Sequence, residues 1–324
     1  MTAAGDLAAL GAHLRGAGLT PRALAAWAGP GALPALRGRL AALAATPPAP
    51  AAAALAVFVA GATVEGARLR LPLDALCAAG LLERTGASVR ATAAVLPVAG
   101  GLLVCDRADA PAEAAQVCWP DDSSYHLAGA LAPGRRARWL DLACGSAVAP
   151  LERPGLAQVI VGVDLNPRAV AFARLGAALS GIAHLAVHAG DIGAIPGTAP
   201  LVTCNAPIPD APDAAPDAAA GRVLWQRTDA GFFARLWPAA RAAVEPGGEV
   251  VVHAARAAIP DDLPGERVVC IYTPPERALA IPAFAVLWWR PDAPPRLALG
   301  HRALTAARPH VDARDRDDLL AGAC

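Results

Sequence analysis

The apolar positions in the second half of the chain form short runs that are separated by segments with helical periodicity. Short apolar strands that alternate with helices predict a parallel, doubly wound α/β sheet. The helical patterns cover 167–179 and 229–244, and a Pro-Gly-Gly turn follows the second. Two further apolar runs predict a terminal hairpin, which gives seven strands. The predicted strands are 138–142, 159–163, 186–188, 201–204, 249–253, 267–272 and 284–289.

The first part of the chain has a different, mainly helical pattern. Thr20 followed by Pro21 predicts an N-cap and the first residue of a helix. A later helix is predicted to begin at Pro72 and to end near Gly80. Two apolar stretches after it predict a β-hairpin. We therefore expect a small helical domain at 1–110, a larger sheet domain at 120–295 and a C-terminal extension at 296–324, with the hairpin formed by 89–96 and 101–105.

Two helices followed by a two-stranded ribbon resemble a winged helix. The resemblance depends on a leucine-rich run with one glycine, made of Leu73, Leu76, Gly80, Leu81 and Leu82. A winged helix implies either DNA binding or an accessory domain that cradles substrate or forms a homodimer. Residues 1–110 hold nine arginines against six acidic residues. This small excess favours the accessory role and leaves DNA binding as the alternative.

Composition limits the classes of partner. Lys plus Arg and Asp plus Glu both number 28, so the chain lacks the strongly basic surface typical of nucleic-acid binding. The seven cysteines form no CxxC pair, which disfavours a disulfide framework or a zinc knuckle. Prolines interrupt the longest uncharged run, at 40–64. We therefore expect a cytoplasmic protein that does not insert into membranes.

The first candidate for chemistry follows the first strand of the predicted sheet. In doubly wound folds, ligands bind at the carboxyl ends of the strands, where small residues let the backbone approach the ligand. Asp141 is followed there by Ala143, Gly145 and Ala147. Because alanine does not readily adopt positive φ, we expect negative φ at both alanines. A plain strand-to-helix turn is the alternative interpretation of this segment.

A second acid, Asp164, ends the next strand, 23 residues after Asp141. A carboxylate at that spacing can accept both ribose hydroxyls of an adenosine-bearing ligand. Asn166 precedes Pro167 at the start of a helix, and we expect it to be an N-cap, with ligand contact as the alternative.

The fourth strand ends in Asn205-Ala-Pro-Ile. This segment resembles the Asn-Pro-Pro-Tyr signature of methyltransferases that act on glutamine N5 or adenine N6. The resemblance implies that the Asn205 side-chain oxygen and the Ala206 carbonyl orient a planar NH₂ group, while Pro207 stiffens the turn. Ile208 replaces the aromatic residue that stacks on a planar target, which disfavours a nucleobase.

Taken with the acids above, these segments resemble a class I S-adenosylmethionine-dependent methyltransferase over about 120–290. The resemblance implies that S-adenosylmethionine binds at residues 120–295. It implies cofactor contacts from Asp141, Ala143, Gly145, Asp164, Leu165, Asp191 and Ile192, with Asp191 accepting from the adenine amino group and Ile192 packing on the ring. A turn aspartate is the alternative for Asp191. Tyr125 is expected to lie over the methyl donor or to face the core.

The expected function is methylation of an amide or amino nitrogen in a protein or a small molecule. Methylation of a base in rRNA or DNA is an alternative acceptor choice. Two alternatives come from other classes: an NAD(P)-binding oxidoreductase, although Gly-x-Gly-x-x-Gly is absent, and an inactive winged-helix regulator. No metal site is expected, because His184 and His188 have no third ligand nearby in sequence.

Overall fold

The computed structural model of the chain describes residues 4–29, 33–46, 48–111, 113–207, 231–273 and 283–322. Ile208 lies outside these ranges, so the expectation for it stays a prediction. The described part of the first 60 residues is helical. Thr20 accepts a hydrogen bond from the Ala23 N–H, which confirms it as an N-cap. The helices of the N-terminal region are α1 (Ala4–Gly16), α2 (Pro21–Ala28), α3 (Leu33–Leu36), α4 (Leu40–Ala45), α5 (Ala53–Phe58) and α6 (Leu73–Ala78).

Two small antiparallel sheets complete the N-terminal region. One contains β1 (Val64–Glu65), β2 (Leu82–Thr85) and β3 (Ser88–Ala91) in the order β1-β3-β2, and the other pairs β4 (Ala94–Val98) with β5 (Gly101–Cys105). In the predicted hairpin of 89–96 with 101–105, the pairing of 94–96 with 101–105 is confirmed, whereas the pairing of 89–91 is wrong because these residues pair with β2. Gly86, at φ 60°, turns the chain so that β3 pairs back onto β2. The winged-helix resemblance stays a prediction.

The rest of the chain folds around one large sheet. Its elements are α7 (Asp122–Ala130), β6 (Arg136–Leu142), α8 (Val148–Glu152), β7 (Ala157–Asp164), α9 (Pro167–Ser180), β8 (Leu185–Ala189), β9 (Ala199–Asn205), α10 (Phe232–Ala243), β10 (Val244–Ala255), β11 (Glu266–Tyr272), β12 (Phe284–Arg290), β13 (Arg296–Arg302) and α11 (Ala313–Ala321).

The sheet has the order β13-β11-β12-β10-β9-β6-β7-β8. Strands β8, β7, β6, β9 and β10 are parallel, whereas β12 runs antiparallel to β10 and β11. The predicted parallel sheet and its terminal hairpin are confirmed. The predicted number of strands is wrong, because β13 adds an eighth strand parallel to β11. Residue 296 therefore begins a strand of the sheet.

Alternation along each strand divides the core into two layers. Trp139 of β6 packs with the N-terminal region and α9 on one face, whereas Leu140 packs with α10 on the other. Successive side chains of a strand point to opposite faces, so strands covered on both sides must be apolar at nearly every position. This requirement explains the continuous apolar runs in the sequence.

The N-terminal region packs directly against the sheet domain through α9. Gly11 of α1 lies so close to α9 that an added Cβ would be 1.7 Å from the Leu179 carbonyl oxygen. Arg15 donates to the same carbonyl at 3.2 Å, and Ser180 accepts from the Leu102 N–H of β5 at 2.8 Å. The two regions therefore share one continuous apolar cluster. Within the described ranges, no helix is both long and apolar enough to cross a membrane.

Candidate active site at the carboxyl edge of the sheet

A cavity of about 380 Å³ lies where the parallel strands end. This volume falls in the range of about 300–1,000 Å³ that is typical of small-molecule sites. Ten of the predicted site residues line the cavity together: Asp141, Ala143, Gly145, Asp164, Leu165, Asp191, Ile192, Asn205, Ala206 and Pro207. A strap, residues 113–121, crosses from the N-terminal region and contributes Gln116, Val117, Cys118, Pro120 and Asp121 to the same wall.

The loop after β6 has a left-handed backbone at alternate positions. Ala143, Gly145 and Ala147 have φ of 51°, 55° and 63°, so the expected negative φ at the two alanines is wrong. The left-handed region costs a non-glycine residue roughly 1–2 kcal/mol. Local hydrogen bonds compensate for this cost, since the Cys144 N–H donates to the Val163 carbonyl at 3.0 Å and the Ala147 N–H to the Cys144 carbonyl at 2.8 Å.

Asp141 is buried beneath this loop, with 3% of its surface exposed. Its carboxylate accepts from the Thr203 hydroxyl at 2.5 Å, and the Trp139 indole N–H donates to the same hydroxyl oxygen at 2.7 Å. Burial raises the pKa of Asp141 to about 7, and the Thr203 hydrogen bond partly opposes that rise. Asp141 therefore links the neighbouring strands β6 and β9 below the cavity floor.

Asp164 is the acid that faces the cavity at the end of β7. One carboxylate oxygen accepts from the Gly145 N–H at 2.7 Å and the other from the Asn166 N–H at 2.8 Å. A carboxylate has about four lone-pair sites, so each oxygen keeps capacity for one more donor. Burial raises the pKa of Asp164, and the two backbone hydrogen bonds oppose that rise.

Asn166 is the N-cap of α9, as predicted. Its side-chain oxygen accepts from the Arg168 N–H at 3.0 Å. Its amide nitrogen also donates to the Ala115 carbonyl of the strap at 2.9 Å. A second tie holds the strap, because Asp106 accepts from the Val117 N–H at 2.7 Å and forms an ion pair with Arg168 at 2.6 Å. The first turn of α9 thus fixes one wall of the cavity.

The far end of the cavity contains a charged pair. Asp191 accepts from the Gly193 N–H at 3.1 Å, and its other oxygen lies 3.5 Å from Nε of Arg235 on α10. Ile192 beside it is buried, whereas the Leu165 side chain near Asp164 is 63% exposed. This end therefore combines a half-exposed carboxylate with an apolar wall.

Asn205 lies at the other end, where its side chain is held on both sides. The amide nitrogen contacts the hydroxyl oxygens of Ser123 at 2.8 Å and Ser124 at 3.3 Å. The amide oxygen lies 3.0 Å from Nδ1 of His253, the residue paired with Asn205 in the parallel ladder of β9 and β10. The Ala206 N–H donates to the His253 carbonyl at 2.9 Å.

Four residues that contact Asn205 or extend its contacts were not among the predicted site residues: Ser123, Ser124, His253 and Tyr272. The His253 ring is buried, and its Nε2 lies 2.7 Å from the Tyr272 hydroxyl. Burial lowers the pKa of His253 to about 3, so its ring is neutral at pH 7. A sequence signal was present, since His253 is the one polar residue in the buried run Val250–Ala255.

Tyr125 does not line the cavity. Its ring stacks on His310 with centroids 5.5 Å apart, and its hydroxyl is buried without a hydrogen-bond partner in the described structure. The neighbouring Ser123 and Ser124 reach the cavity instead.

Among the described residues, no group of three or more His, Cys, Asp or Glu side chains could hold a metal ion.

No family model matches the chain, and no curated protein matches it. Solved structures of methyltransferases are similar to it. A ribosomal protein L11 methylase from Lactobacillus delbrueckii subsp. bulgaricus is 13% identical, with a TM-score of 0.36 and coverage of 52% of this chain and 77% of that one. For the M. jannaschii tRNA m1G37 methyltransferase, the identity is 12%, the TM-score 0.42 and the coverage 62% and 57%.

An amino pentose methyltransferase from Micromonospora echinaspora, solved with S-adenosylmethionine bound, is also similar. It is 25% identical, with a TM-score of 0.26 and coverage of 36% of this chain and 42% of that one. At these TM-scores, the likeness supports no conclusion about substrate or mechanism.

Proposed function

We propose that this protein is an S-adenosylmethionine-dependent methyltransferase that acts on a nitrogen bearing at least one hydrogen. The observation that carries the proposal is the turn after β9, which offers hydrogen-bond acceptors but few donors to the cavity. This turn shares one cavity with a carboxylate, Asp164, at the end of β7, a parallel strand of the same sheet that is separated from β9 by β6.

Two successive residues of the turn already use their donors, and the third has none. Both hydrogens of the Asn205 amide have serine acceptors, the Ala206 N–H is bonded to the His253 carbonyl, and Pro207 has no N–H. The Asn205 oxygen receives one hydrogen bond and retains a second lone pair. A group that presents N–H to this turn is satisfied, whereas a group that presents only a lone pair is not.

The cofactor fits the other side of the cavity. Asp164 keeps one acceptor site on each carboxylate oxygen, which suits the two vicinal hydroxyls of a ribose. Asp191 and Ile192 lie beyond it and supply an acceptor and an apolar contact for an adenine ring. S-adenosylmethionine, when bound, supplies an electrophilic methyl group on a sulfonium sulfur.

Asn205 and the Ala206 carbonyl would hold the hydrogens of the accepting nitrogen and turn its lone pair toward the methyl group. Attack forms a nitrogen–carbon bond as the carbon–sulfur bond breaks and its electron pair stays on sulfur. The extra proton then leaves to water, so the scheme needs no general base. Orientation of this kind can contribute up to roughly 7–11 kcal/mol.

We favour a protein amide or a small molecule as the acceptor over a nucleic acid. The chain has no net charge, and duplex binding normally needs a basic surface. In this proposal, the N-terminal region is an accessory domain. Its strap forms part of the cavity wall, which supports a role in substrate or cofactor binding.

Calorimetry tests the cofactor assignment. We expect S-adenosylmethionine and S-adenosylhomocysteine to bind, and NADH and NADPH not to bind. Failure of both sulfur ligands would overturn the proposal, and binding of a nicotinamide dinucleotide would favour an oxidoreductase. Transfer of a radiolabelled methyl group into a fractionated lysate of the native host would then show whether protein, RNA or small molecules take the label.

A further inference from the structure

The contacts around Asn205 form a chain of five side chains: Tyr272, His253, Asn205, Ser123 and Asp121. Every link joins polar atoms that sit within hydrogen-bond distance, and the chain runs from the end of β11 through β10 and β9 to the start of α7. Each of these groups has a limited set of donors and acceptors. The direction of each bond can therefore be deduced from one end.

The deduction starts at Asp121. Its Oδ1 accepts from the Ser124 N–H at 3.4 Å as the N-cap of α7, and it also contacts the Ser123 hydroxyl. Burial raises the pKa of Asp121, and the hydrogen bonds from the Ser123 hydroxyl and the Ser124 N–H oppose that rise. An ionised carboxylate only accepts, so in that state the single hydrogen of the Ser123 hydroxyl points to Asp121. The Ser123 oxygen must then accept from Asn205.

The next steps follow in order. Only the amide nitrogen of Asn205 can donate to Ser123, so the amide oxygen faces His253. That oxygen cannot donate, so the proton of the neutral imidazole resides on Nδ1 of His253. Nε2 of His253 is then an acceptor, and the Tyr272 hydroxyl donates to it.

We propose that His253 and Tyr272 are positioning residues for methyl transfer: from the side opposite to Ser123 and Asp121, they hold the Asn205 amide in the orientation in which its oxygen, and not its nitrogen, is available to the acceptor substrate. This proposal rests on the proposed function. We call the five hydrogen-bonded side chains, from Tyr272 to Asp121, the Asn205 relay. Without the contacts of this relay, the Asn205 amide could rotate by 180° and present N–H to the cavity. The substrate N–H would then face a donor.

The composition of the polypeptide makes spectroscopic tests of this arrangement simple. It contains two asparagines, so ¹⁵N-asparagine labelling gives two side-chain amide signals, and Asn166 is an internal reference for Asn205. It also contains two tyrosines. Tyr125→Phe is a matched control for Tyr272→Phe, because the Tyr125 hydroxyl is buried but has no hydrogen-bond partner in the described structure.

Long-range ¹H–¹⁵N spectra of histidine-labelled protein report which ring nitrogen carries the proton, and His253→Leu assigns the His253 signals. We expect the wild-type proton on Nδ1. We also expect Tyr272→Phe to shift the Asn205 amide signals but not those of Asn166, and Tyr125→Phe to shift neither. A wild-type proton on Nε2, or an Asn205 amide that is unchanged in Tyr272→Phe, would overturn the proposal.

Methyl transfer into the host lysate provides the functional readout. At saturating S-adenosylmethionine, Tyr272→Phe should lower the rate about tenfold, the effect of roughly one buried hydrogen bond. The half-saturating concentration of S-adenosylmethionine should stay the same. His253→Asn, which keeps a donor at the Nδ1 position, should retain more activity than His253→Leu, and equal activities would contradict the relay.

The two proposals fail in different ways. If wild-type protein does not bind S-adenosylmethionine, the proposed function fails, while the spectra still test the direction of the relay. If the protein binds S-adenosylmethionine and transfers methyl groups but carries the His253 proton on Nε2, only the relay is wrong.

Discussion

At the scale of single residues, the proposed function assigns cofactor binding and orientation of the acceptor to opposite ends of the cavity. Asp164 faces the cavity between two backbone donors, whereas Asn205 lies at the other end within the side-chain relay. Asp164→Ala should weaken S-adenosylmethionine binding at least about tenfold, because charge-assisted hydrogen bonds contribute roughly 1.5–3 kcal/mol each. Asn205→Ala should leave that affinity nearly unchanged and lower turnover about 100-fold or more.

Calorimetry and the radiolabel assay measure these two quantities separately. Normal turnover in Asn205→Ala would remove the nitrogen-acceptor interpretation. An unchanged affinity in Asp164→Ala would remove the assignment of the ribose site.

The loop after β6 gives a second prediction at this scale. Ala143 has φ 51°, where glycine avoids the Cβ penalty. Ala143→Gly should therefore change the free energy of unfolding by less than about 0.5 kcal/mol, or raise it, because relief of strain offsets the added entropy of the unfolded chain. Ala178→Gly, also half-buried but inside α9, should lower it by about 1 kcal/mol. Urea unfolding of both variants measures the difference, and equal losses would contradict left-handed backbone at Ala143.

At the scale of elements, the first turn of α9 has two functions that one substitution can separate. The oxygen of Asn166 caps the helix, and its nitrogen holds the strap at Ala115. Asn166→Ser should keep the cap and lose the tie, so amide exchange should accelerate in 113–121 while α9 stays protected. Asn166→Ala should lose both and cost roughly 1 kcal/mol or more of stability. If exchange in the strap did not change in either variant, the tie at Asn166 would not be what holds it.

The central elements were predictable because their sequences are locally consistent. The buried segments of β6, β7, β9 and β10 contain short apolar runs, such as 160–163 and 250–252. β13 was missed because its exposed leucines, Leu297 and Leu299, alternate with small or polar residues at the edge of the sheet. The N-terminal hairpin was misplaced since local patterns do not specify which strand a short apolar run pairs with.

In the candidate site as well, features set by local sequence were predictable, and features set by strand pairing were not. The position of Asp164 and Asn205 at the cavity was predictable because strand ends and short motifs are visible in sequence. The pairing of His253 with Asn205 depends on the register between β9 and β10, and Tyr272 depends on the return of β11 across β12. The positive φ of Ala143 and Ala147 was not predictable, because tertiary hydrogen bonds override the residue preference there.

At the scale of the whole molecule, α1 and α9 join the N-terminal region to the sheet. Gly11→Ala would place a Cβ 1.7 Å from the Leu179 carbonyl oxygen, so the helices must separate. We expect a loss of roughly 1–3 kcal/mol in the free energy of unfolding. Gly5→Ala, in the same helix and with no atom within 4 Å of the added Cβ, should be neutral or stabilising by up to about 1 kcal/mol. Equal effects of the two substitutions would show that α1 does not pack closely on α9.

Buried histidines predict acid sensitivity of the whole fold. Burial lowers the pKa of His126 to about 2 and that of His253 to about 3. The unfolded chain takes up protons below about pH 6.5 and the folded chain does not, so stability is full above that pH and falls as the pH drops. The raised pKa of Asp141 makes that residue's contribution to stability increase as the pH falls, which opposes the effect of the histidines. This contribution is the same in wild type and in histidine variants.

His126→Asn tests this effect, since its side-chain oxygen can replace Nδ1 as the acceptor of the Val311 N–H. Between pH 7.5 and pH 5.0, the variant should lose about 2 kcal/mol less stability than wild type. Urea unfolding at the two pH values measures this difference, with His13→Asn, at an exposed position, as the control. An identical pH dependence in wild type and His126→Asn would exclude His126 as a contributor.

The Asn205 relay suggests how the preference of the cavity for hydrogen-bond donors over acceptors could be changed. Four of its five members can each act as donor or acceptor, and Asp121 is the one that cannot. The direction of every hydrogen bond in the relay therefore follows from the single charge at its Asp121 end, two hydrogen bonds away from the Asn205 amide. Asp121→Asn would keep a good N-cap for α7, because asparagine is also a favourable N-cap residue. Its side chain can both donate and accept, so the hydrogen bonds of the relay could then take either direction. Under the proposed function, a pocket selective for N–H donors would then tolerate acceptors as well, without a change in its shape.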